Sequence, residues 1–582
     1  MSNVFHVWTQ GCMSRIFPHD KGTGHVAEKA HLYAARNEVE AFQIGVHATP
    51  SDGLNDLSAQ ASDLTMADGT RIPAGNVEIL YADYVPVHWH SAGNAPDDLE
   101  GIAPGFYPDP LLPSLWRGVG RVQFPATVSL WVRVRVPETA SPGTYHGSVA
   151  LRCKGGQQVV GFEVEVWPFT LPKRSHFLMT NWFLTGLILQ FHRVEAMTDE
   201  FWRVIELYAK NLADHRQNVI LTPLFPMSGT LNLLDGRLQG QLIDVVESQP
   251  GQYQFDFHNF DRWVALFLSH NFTAIEGGHL AGGSRHPSSV LIRKPGNNTA
   301  ERRSFASTAD ADYRQFLSQL LLSLRSHLQQ QDWLGRFYLH LSDEPHGDQF
   351  EPYTSLAKFV KSVAPEIRLI DAMGAAEFAP YIDHPVPLES VYEKFVESSG
   401  IPREQIWLYY CCGPTGRWPN RFIDYPLIRV RIFTWLAFRY GIPGFLHWGL
   451  NHWGWHRPHH RSEMAYNPYD NTTGGSLQAG DSYVLYPPRM PSESHEPVDS
   501  IRWEMIRKAM EDYEYLHLLR ALVQQGRGTS EARQRGNALL DELETQIAPN
   551  FTDHIRDAEA LAHFRQRVGE AIAALQADEG AA

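Results

Sequence analysis

The chain has 582 residues, enough for two to four domains and a large buried core. Its 43% hydrophobic and 20% charged residues are ordinary for a globular protein. A net charge of −15 excludes a nucleic-acid backbone as the main partner, because phosphate binding needs clustered Lys and Arg. No stretch approaches the roughly 18 apolar residues of a membrane span, so no membrane partner is expected. The N-terminal MSNVFHVWTQGCMSRIF lacks a basic segment followed by an apolar one. Cys12, Cys153, Cys411 and Cys412 are too scattered for a disulfide framework. Together these features lead to the expectation of a reduced, cytoplasmic protein. The 12% aromatic content suits either sugar stacking or large aromatic cores.

Residues 1–172 read as a β-sandwich. EVEAFQIGVHA, TVSLWVRVRVP, GTYHGSVALRC and QQVVGFEVEVWPF alternate apolar and polar residues over strand lengths, with turn formers between them. WPFTLPKRS (167–175) marks the end of this part. Beyond it the period changes to strand–helix alternation. HFLMTNWFL is strand-like, and TDEFWRVIELYAKNLADHRQ is a helix with Thr198 as its N-cap. Further strands are expected in NVILTPLF, FTAIEGGHL, GRFYLHLSDEP, EIRLIDAMG, QIWLYYCCGP and PGFLHWGLNHW, with helical segments between them. Over 173–480 this order predicts a (β/α)8 TIM-like barrel, an α/β fold. The polar, Gly-rich stretch 457–490 is expected to drape over the barrel mouth. From 481 to 582 a helical extension packs on the barrel, beginning with a helix in VDSIRWEMIRKAMEDYEYLHLLRALVQQ.

In such a barrel the chemistry sits at the C-terminal ends of the strands. Those ends carry Trp182, His279, Asp343, Glu344, Asp371, Tyr409, Tyr410, Trp448 and Asn451. Carboxylates, amides and aromatics predominate. A metal triad, a G-x-S-x-G elbow and a phosphate-binding loop are missing, so neither cofactor nor metal is expected. The composition is that of a glycosidase pocket. Asp343 and Glu344 are the candidate catalytic pair. Neighbouring strand residues point to opposite faces, so the two acids can share a site only where the strand ends and turns, as Pro345 and Gly347 provide. Taken alone, DEP also suits a helix N-cap or a surface ion pair.

One acid must be protonated to help the leaving oxygen depart, while the other stays ionised. The adjacency suits a scheme in which a 2-acetamido sugar attacks its own anomeric carbon. Asp343 then orients the acetamido N–H, and Glu344 is the general acid and base. Trp448 is a candidate floor for the sugar ring and Asn451 a partner for a sugar hydroxyl. Tyr410 is a candidate donor to the acetamido carbonyl, although alternation does not settle whether it or Tyr409 faces the pocket. Trp182, His279 and Asp371 complete the candidate substrate-binding set. Vicinal Cys411 and Cys412 suggest redox chemistry or metal binding, but read better as small packing residues with no catalytic duty. His452, His456, His459 and His460 tempt a metal reading, against which Gly454 and Pro458 argue.

LHLSDEP, WLYYCCGPTGRWPNRFIDYPLIRVRIFTWLAFRYGIPGFLHWGLNHW and IRWEMIRKAMEDYEYLHLL resemble glycoside hydrolase family 123, which includes β-N-acetylgalactosaminidases. ARNEVEAFQIGV, YPDPLLP and LWVRVRVPETASPGTYHGSV resemble its N-terminal β-sandwich. The resemblance implies retaining, substrate-assisted hydrolysis by the Asp–Glu pair, on a glycoconjugate or oligosaccharide with terminal N-acetylhexosamine. Two alternatives stand beside it. One is a β-glycosidase of other specificity with a separate nucleophile, for which Asp371 is the spare carboxylate. The other is a non-catalytic carbohydrate-binding protein, against which the retention of both acids argues. Linkage, aglycone and assembly into a homo-oligomer stay open.

Overall fold

A computed structural model describes residues 5–22, 29–48, 54, 57–114, 126–153, 156–226, 241–282, 285–297, 299–454, 466–489 and 494–577. The N-terminal part is strand-rich. One sheet runs Phe5–Gly11, Glu38–Ala48, Thr127–Val136, Val77–Val87 and Gly105–Leu112, antiparallel throughout. The other runs Ala30–Arg36, Gly156–Thr170, Gly143–Cys153, Leu64–Thr65 and Arg71–Ile72, with Ala30–Arg36 lying parallel to its neighbour. The apolar alternate positions of the two sheets share one core, in which Phe42, Ile44 and Val46 meet Phe162 and Val164. The rings of Phe42 and Phe162 lie 5.2 Å apart.

The polar alternate positions of Glu38–Ala48 do not face water, whereas Thr144, His146 and Arg152 on the other sheet do. Glu38–Ala48 is buried along nearly its whole length, because its polar face meets the helix Ile501–Gln524. That helix is buried on all sides over residues 501–512, charges included. Its charges find partners instead. Arg502 donates to both oxygens of Asp109 at 2.9 Å. Arg133 bridges Asp499 and Glu504, Lys508 pairs with Glu40, and Asp512 accepts from Arg431 and Arg565. Alternation and helical periodicity here bring two polar faces together away from water, a contact that holds only because the charges are matched.

The second part is mixed α/β. Eight parallel strands follow in chain order: β1 (Leu178–Asn181), β2 (Val219–Thr222), β3 (Ala274–Gly277), β4 (Phe337–His340), β5 (Arg368–Met373), β6 (His384–Pro387), β7 (Leu408–Tyr409) and β8 (Gly444–His447). They form a five-stranded sheet, β2–β3–β4–β5–β6, and a three-stranded sheet, β1–β8–β7. Backbone contacts join the sheets at both margins. Asn218 donates to Met179 at 3.4 Å, Trp407 donates to Pro385 at 3.0 Å, and Leu388 bridges Tyr409 in parallel. Trp182, Leu221, Tyr338, Ile370, Val386, Tyr409 and Leu446 pack in one cluster between the strands, while the alternate positions Phe337, Leu339 and Leu408 join the larger core shared with the helices.

Three details depart from the sequence reading. The strand expected over 176–184 stops at Asn181, and the chain enters the helix Thr185–His192. The helical segment between the last two expected strands is two helices, Leu427–Arg431 and Phe433–Tyr440. The hairpin Asp244–Gln249 and Gln252–Asp256 interrupts the alternation after β2. Thr198 caps Asp199–Asp214 as expected, accepting from the Phe201 N–H at 3.3 Å. No helix among the described residues is long and apolar enough to cross a membrane.

Candidate active site

β4 ends at His340 and its pleat continues one step further, so Tyr338, His340 and Ser342 share a face. The chain then turns. The Ser342 N–H donates to Asp371 Oδ2 at 2.9 Å, and the Glu344 N–H donates to the Ala372 carbonyl at 3.0 Å, stitching the turn to β5. Glu344 takes a left-handed φ of +43°, a conformation costly for a non-glycine residue and held here by these bonds. Asp343 and Glu344 thereby both stand exposed beyond the strand. Neither caps a helix: Phe350–Val363 begins six residues beyond Glu344, and the preceding turn is capped by His346.

Tyr409, on β7, donates its hydroxyl to Glu344 Oε1. Burial and the Glu344 carboxylate raise the Tyr409 hydroxyl far above its usual range, so it stays a donor. Asp343 is open on one side but closely walled on the others. That burial, with the charges of Asp371 and Glu344, pushes its carboxyl up to about 7, while His340 acts in the opposite sense.

A fully buried polar chain lies beneath the pair. His340 Nε2 contacts Glu276 Oε1, and His340 Nδ1 lies 3.5 Å from Asp371 Oδ1. Trp182 Nε1 donates to Glu276 at 2.9 Å, and Thr180 donates to its other oxygen. Burial opposes the imidazolium, but Glu276 and Asp371 more than reverse this and hold His340 up at about 10. Asp371 is raised by burial, an effect that His340, Tyr353 and the Ser342 N–H moderate. Its Oδ2 accepts from Tyr353 at 3.0 Å as well as from Ser342. His279 stacks on His340 with ring centroids 4.4 Å apart, and burial keeps it neutral.

The expected site residues therefore divide. Asp343, Glu344, Tyr409, Trp182 and His279 converge, and Asp371 lies below them, fully buried. Tyr410 turns the other way, into the layer between strands and helices against Phe433 and Phe445, and its hydroxyl has no hydrogen-bond partner among the described residues. Of the two tyrosines, Tyr409 is the one that faces Glu344. Asn451 is buried with both ends of its amide bonded to the Leu184 backbone, at 2.8 and 3.2 Å, which ties the end of β8 to the loop after β1. Trp448 is half-buried, edge-on to His452.

Other members of the site escaped the sequence reading. Arg421 is fully buried and lowered to about 9 by that burial. It holds the ends of β1 and β8 together through Asn181 Oδ1 at 2.7 Å and His447 Nδ1 at 2.6 Å. His447 Nε2 lies 3.7 Å from the buried Asp481, whose carboxyl is pushed up to about 7 by burial and which also interacts with Trp448. Nothing in the local sequence marks Arg421 or Asp481. His340 was findable, since it sits on the same strand face as Tyr338 and Ser342. Cys411 and Cys412 leave β7 beside Tyr409, with their sulfurs 3.6 Å apart, Cys411 half-buried and Cys412 exposed.

Two side-chain triads among the described residues have metal-ligand spacing, His176–Glu514–His517 and His215–Asp499–Glu504. The second belongs to the ion-pair network of Arg133, and neither includes a candidate site residue. Of the histidines in 452–460, His456, His459 and His460 lie outside the described residues, as does part of 457–490. Two surface hollows, of about 300 and 440 Å³, are lined by residues such as Asp244, Asp256 and Arg293, and Arg314 and Lys358; neither lining includes Asp343 or Glu344.

A strand-end carboxylate pair with a phenolic donor on one member is equipment for acid–base work at a glycosidic bond. Family models agree with that class: residues 182–519 match the glycoside hydrolase 123 catalytic domain, and residues 19–153 match the glycoside hydrolase 123 N-terminal domain. The chain belongs to glycoside hydrolase family 123 and is a glycoside hydrolase. No curated protein matches the sequence. Among solved structures, a family 123 glycoside hydrolase from Clostridium perfringens, studied for glycolipid glycan hydrolysis, superimposes with a TM-score of 0.73 at 15% identity, covering 98% of each chain. An endo-beta-1,4-mannanase from Thermotoga petrophila gives a TM-score of 0.34 at 11% identity, covering 59% of this chain and 77% of that one. A beta-D-glucuronidase of Dictyoglomus thermophilum gives 0.32 at 9% identity, covering 82% and 68%.

Proposed function

We propose that this glycoside hydrolase releases terminal β-linked N-acetylgalactosamine from glycoconjugates, retaining configuration through substrate assistance. The acetamido oxygen of the bound sugar attacks the anomeric carbon as Glu344 protonates the departing oxygen. Asp343 accepts the acetamido N–H and balances the positive charge of the oxazolinium ion. Glu344 then takes a proton from water, which attacks from the face the aglycone left, so two inversions give net retention. An N–H donor from the substrate favours the ionised form of Asp343 that this role requires. Tyr409 orients Glu344. Trp448, Trp182 and His279 line the sugar, while Asp371 acts from below.

The observation that carries this reading is the state of the third carboxylate. Asp371 is fully buried, accepts from Ser342 and Tyr353 and lies 3.5 Å from His340, so this third carboxylate is not open to act as a separate nucleophile. The architecture we assign to this chemistry is a β-sandwich over 1–172, a closed (β/α)8 barrel over 173–480 and a helical extension over 481–582. The contacts between the margins of the two parallel sheets support closure. The substrate class extends from the glycolipid glycans of the Clostridium perfringens relative.

The test is hydrolysis of an aryl β-N-acetylgalactosaminide beside its N-acetylglucosamine, galactose and glucose analogues, with the product anomer read by NMR. Asp343→Asn and Glu344→Gln are each expected to lower kcat/KM by roughly 10²- to 10⁴-fold on the acetamido substrate. Cleavage of the galactoside but not of its acetamido counterpart, or an inverted product, would overturn substrate assistance.

A further inference from the structure

The pair Cys411–Cys412 has no part in the reaction just described, yet it occupies the rim of the same site. Both thiols follow Tyr409 directly, and Tyr409 bonds Glu344. Their loop is pinned: the Cys411 N–H donates to the Gly413 carbonyl at 2.9 Å, and Asn420 Nδ2 donates to the Cys411 carbonyl at 2.8 Å. The sulfurs are held 3.6 Å apart, with Cys412 exposed. Two thiolates on one tetrahedral zinc, with bonds of about 2.3 Å, stand about 3.8 Å apart. A thiophilic ion therefore fits between them with almost no movement. A disulfide fits poorly, because adjacent residues hold their Cα atoms about 3.8 Å apart, below the usual disulfide span of roughly 4.4–6.8 Å.

We propose that Cys411 and Cys412 form a bidentate site for a soft divalent cation, Zn²⁺ being the probe, and that its occupancy stops turnover. Binding releases the two thiol protons to solvent and places the cation on two thiolates, with water in its remaining positions. The bound dication obstructs the approach to Glu344 and attracts its carboxylate, opposing the protonation that leaving-group departure needs. The binding step is independent of the sugar specificity. Only the loss of turnover rests on the hydrolase reading above.

Co²⁺ titration of the full chain reads the site directly, through thiolate-to-cobalt charge-transfer absorption. Wild type is expected to show this band at one equivalent, with Zn²⁺ displacing it, and Cys411→Ser and Cys412→Ser are each expected to lose it. In turnover assays Zn²⁺, but not Mg²⁺, inhibits wild type, and a chelator restores activity. The double serine variant keeps its basal rate and needs roughly tenfold or more Zn²⁺ for half-inhibition. Absence of the band in wild type refutes the site, even if the chain proves to hydrolyse no tested sugar. Inhibition of the double variant at the wild-type Zn²⁺ concentration shows that the ion acts elsewhere and refutes the inhibitory role.

Discussion

Replacing His340 with Gln removes the one cation of the buried chain beneath Asp343 while leaving a side chain able to donate to Glu276. His340 is held at about 10 against an ordinary 6.5. At about 1.4 kcal/mol for each pH unit, the folded state favours its charged form by about 5 kcal/mol. Removing one partner of a buried ion pair costs about 3–5 kcal/mol, because the remaining carboxylates stay buried without compensation. The variant is therefore expected to be less stable by about 3–5 kcal/mol near neutral pH. The sign of the pH dependence follows from the raised value. The stabilisation is complete below 6.5 and disappears as pH rises toward 10, at about 1.4 kcal/mol per pH unit within that window. Guanidinium unfolding of both proteins at pH 7 and pH 9.5 measures the gap, which should be wide at the first and mostly closed at the second. A variant as stable as wild type at pH 7, or a gap of the same width at both pH values, would refute a charged His340 between Glu276 and Asp371.

Three further outcomes are expected. Because Asp343 sits near 7 in the free enzyme and must be ionised to hold the acetamido group, kcat/KM should climb between pH 6 and 8, and the residual activity of Asp343→Asn should lack that limb. Tyr409→Phe removes the hydrogen bond that orients Glu344, worth about 0.5–1.5 kcal/mol, so kcat/KM should fall by roughly twofold to tenfold. Asp512→Ala strands Arg431 in the interior and leaves Arg565 to Glu38 and Glu40; a loss of about 3–5 kcal/mol should appear as a lower thermal midpoint for the whole chain.

Much of this protein was legible without coordinates because local patterns carry local information. Period-two alternation delimited Glu38–Ala48, Thr127–Val136 and Gly143–Cys153, and Thr198 announced a helix start. SDEP announced a strand end carrying two acids, since Pro345 and a left-handed Gly347 cannot continue a strand. What these patterns omit is the identity of the neighbour. Alternation gives Glu38–Ala48 a polar face and marks Ile501–Gln524 as a helix, without saying what covers either. Each is buried because the other supplies the opposite charges, and a charge pairing across more than 450 residues leaves no local periodicity.

The chemistry divides in the same way. The sequence alone determined which residues bring the acids, the aromatic donors and the vicinal thiols to strand ends, because those depend on chain order and on turn formers. The tertiary structure alone decided which of two adjacent tyrosines meets Glu344, that Asn451 serves the backbone of Leu184, and that Asp371 lies beneath the pair. A strand of two residues is too short for alternation to fix its facing. The protonation of the buried Asp371, meanwhile, is biased by burial, His340, Tyr353 and the Ser342 N–H, groups that only the packed strands bring together.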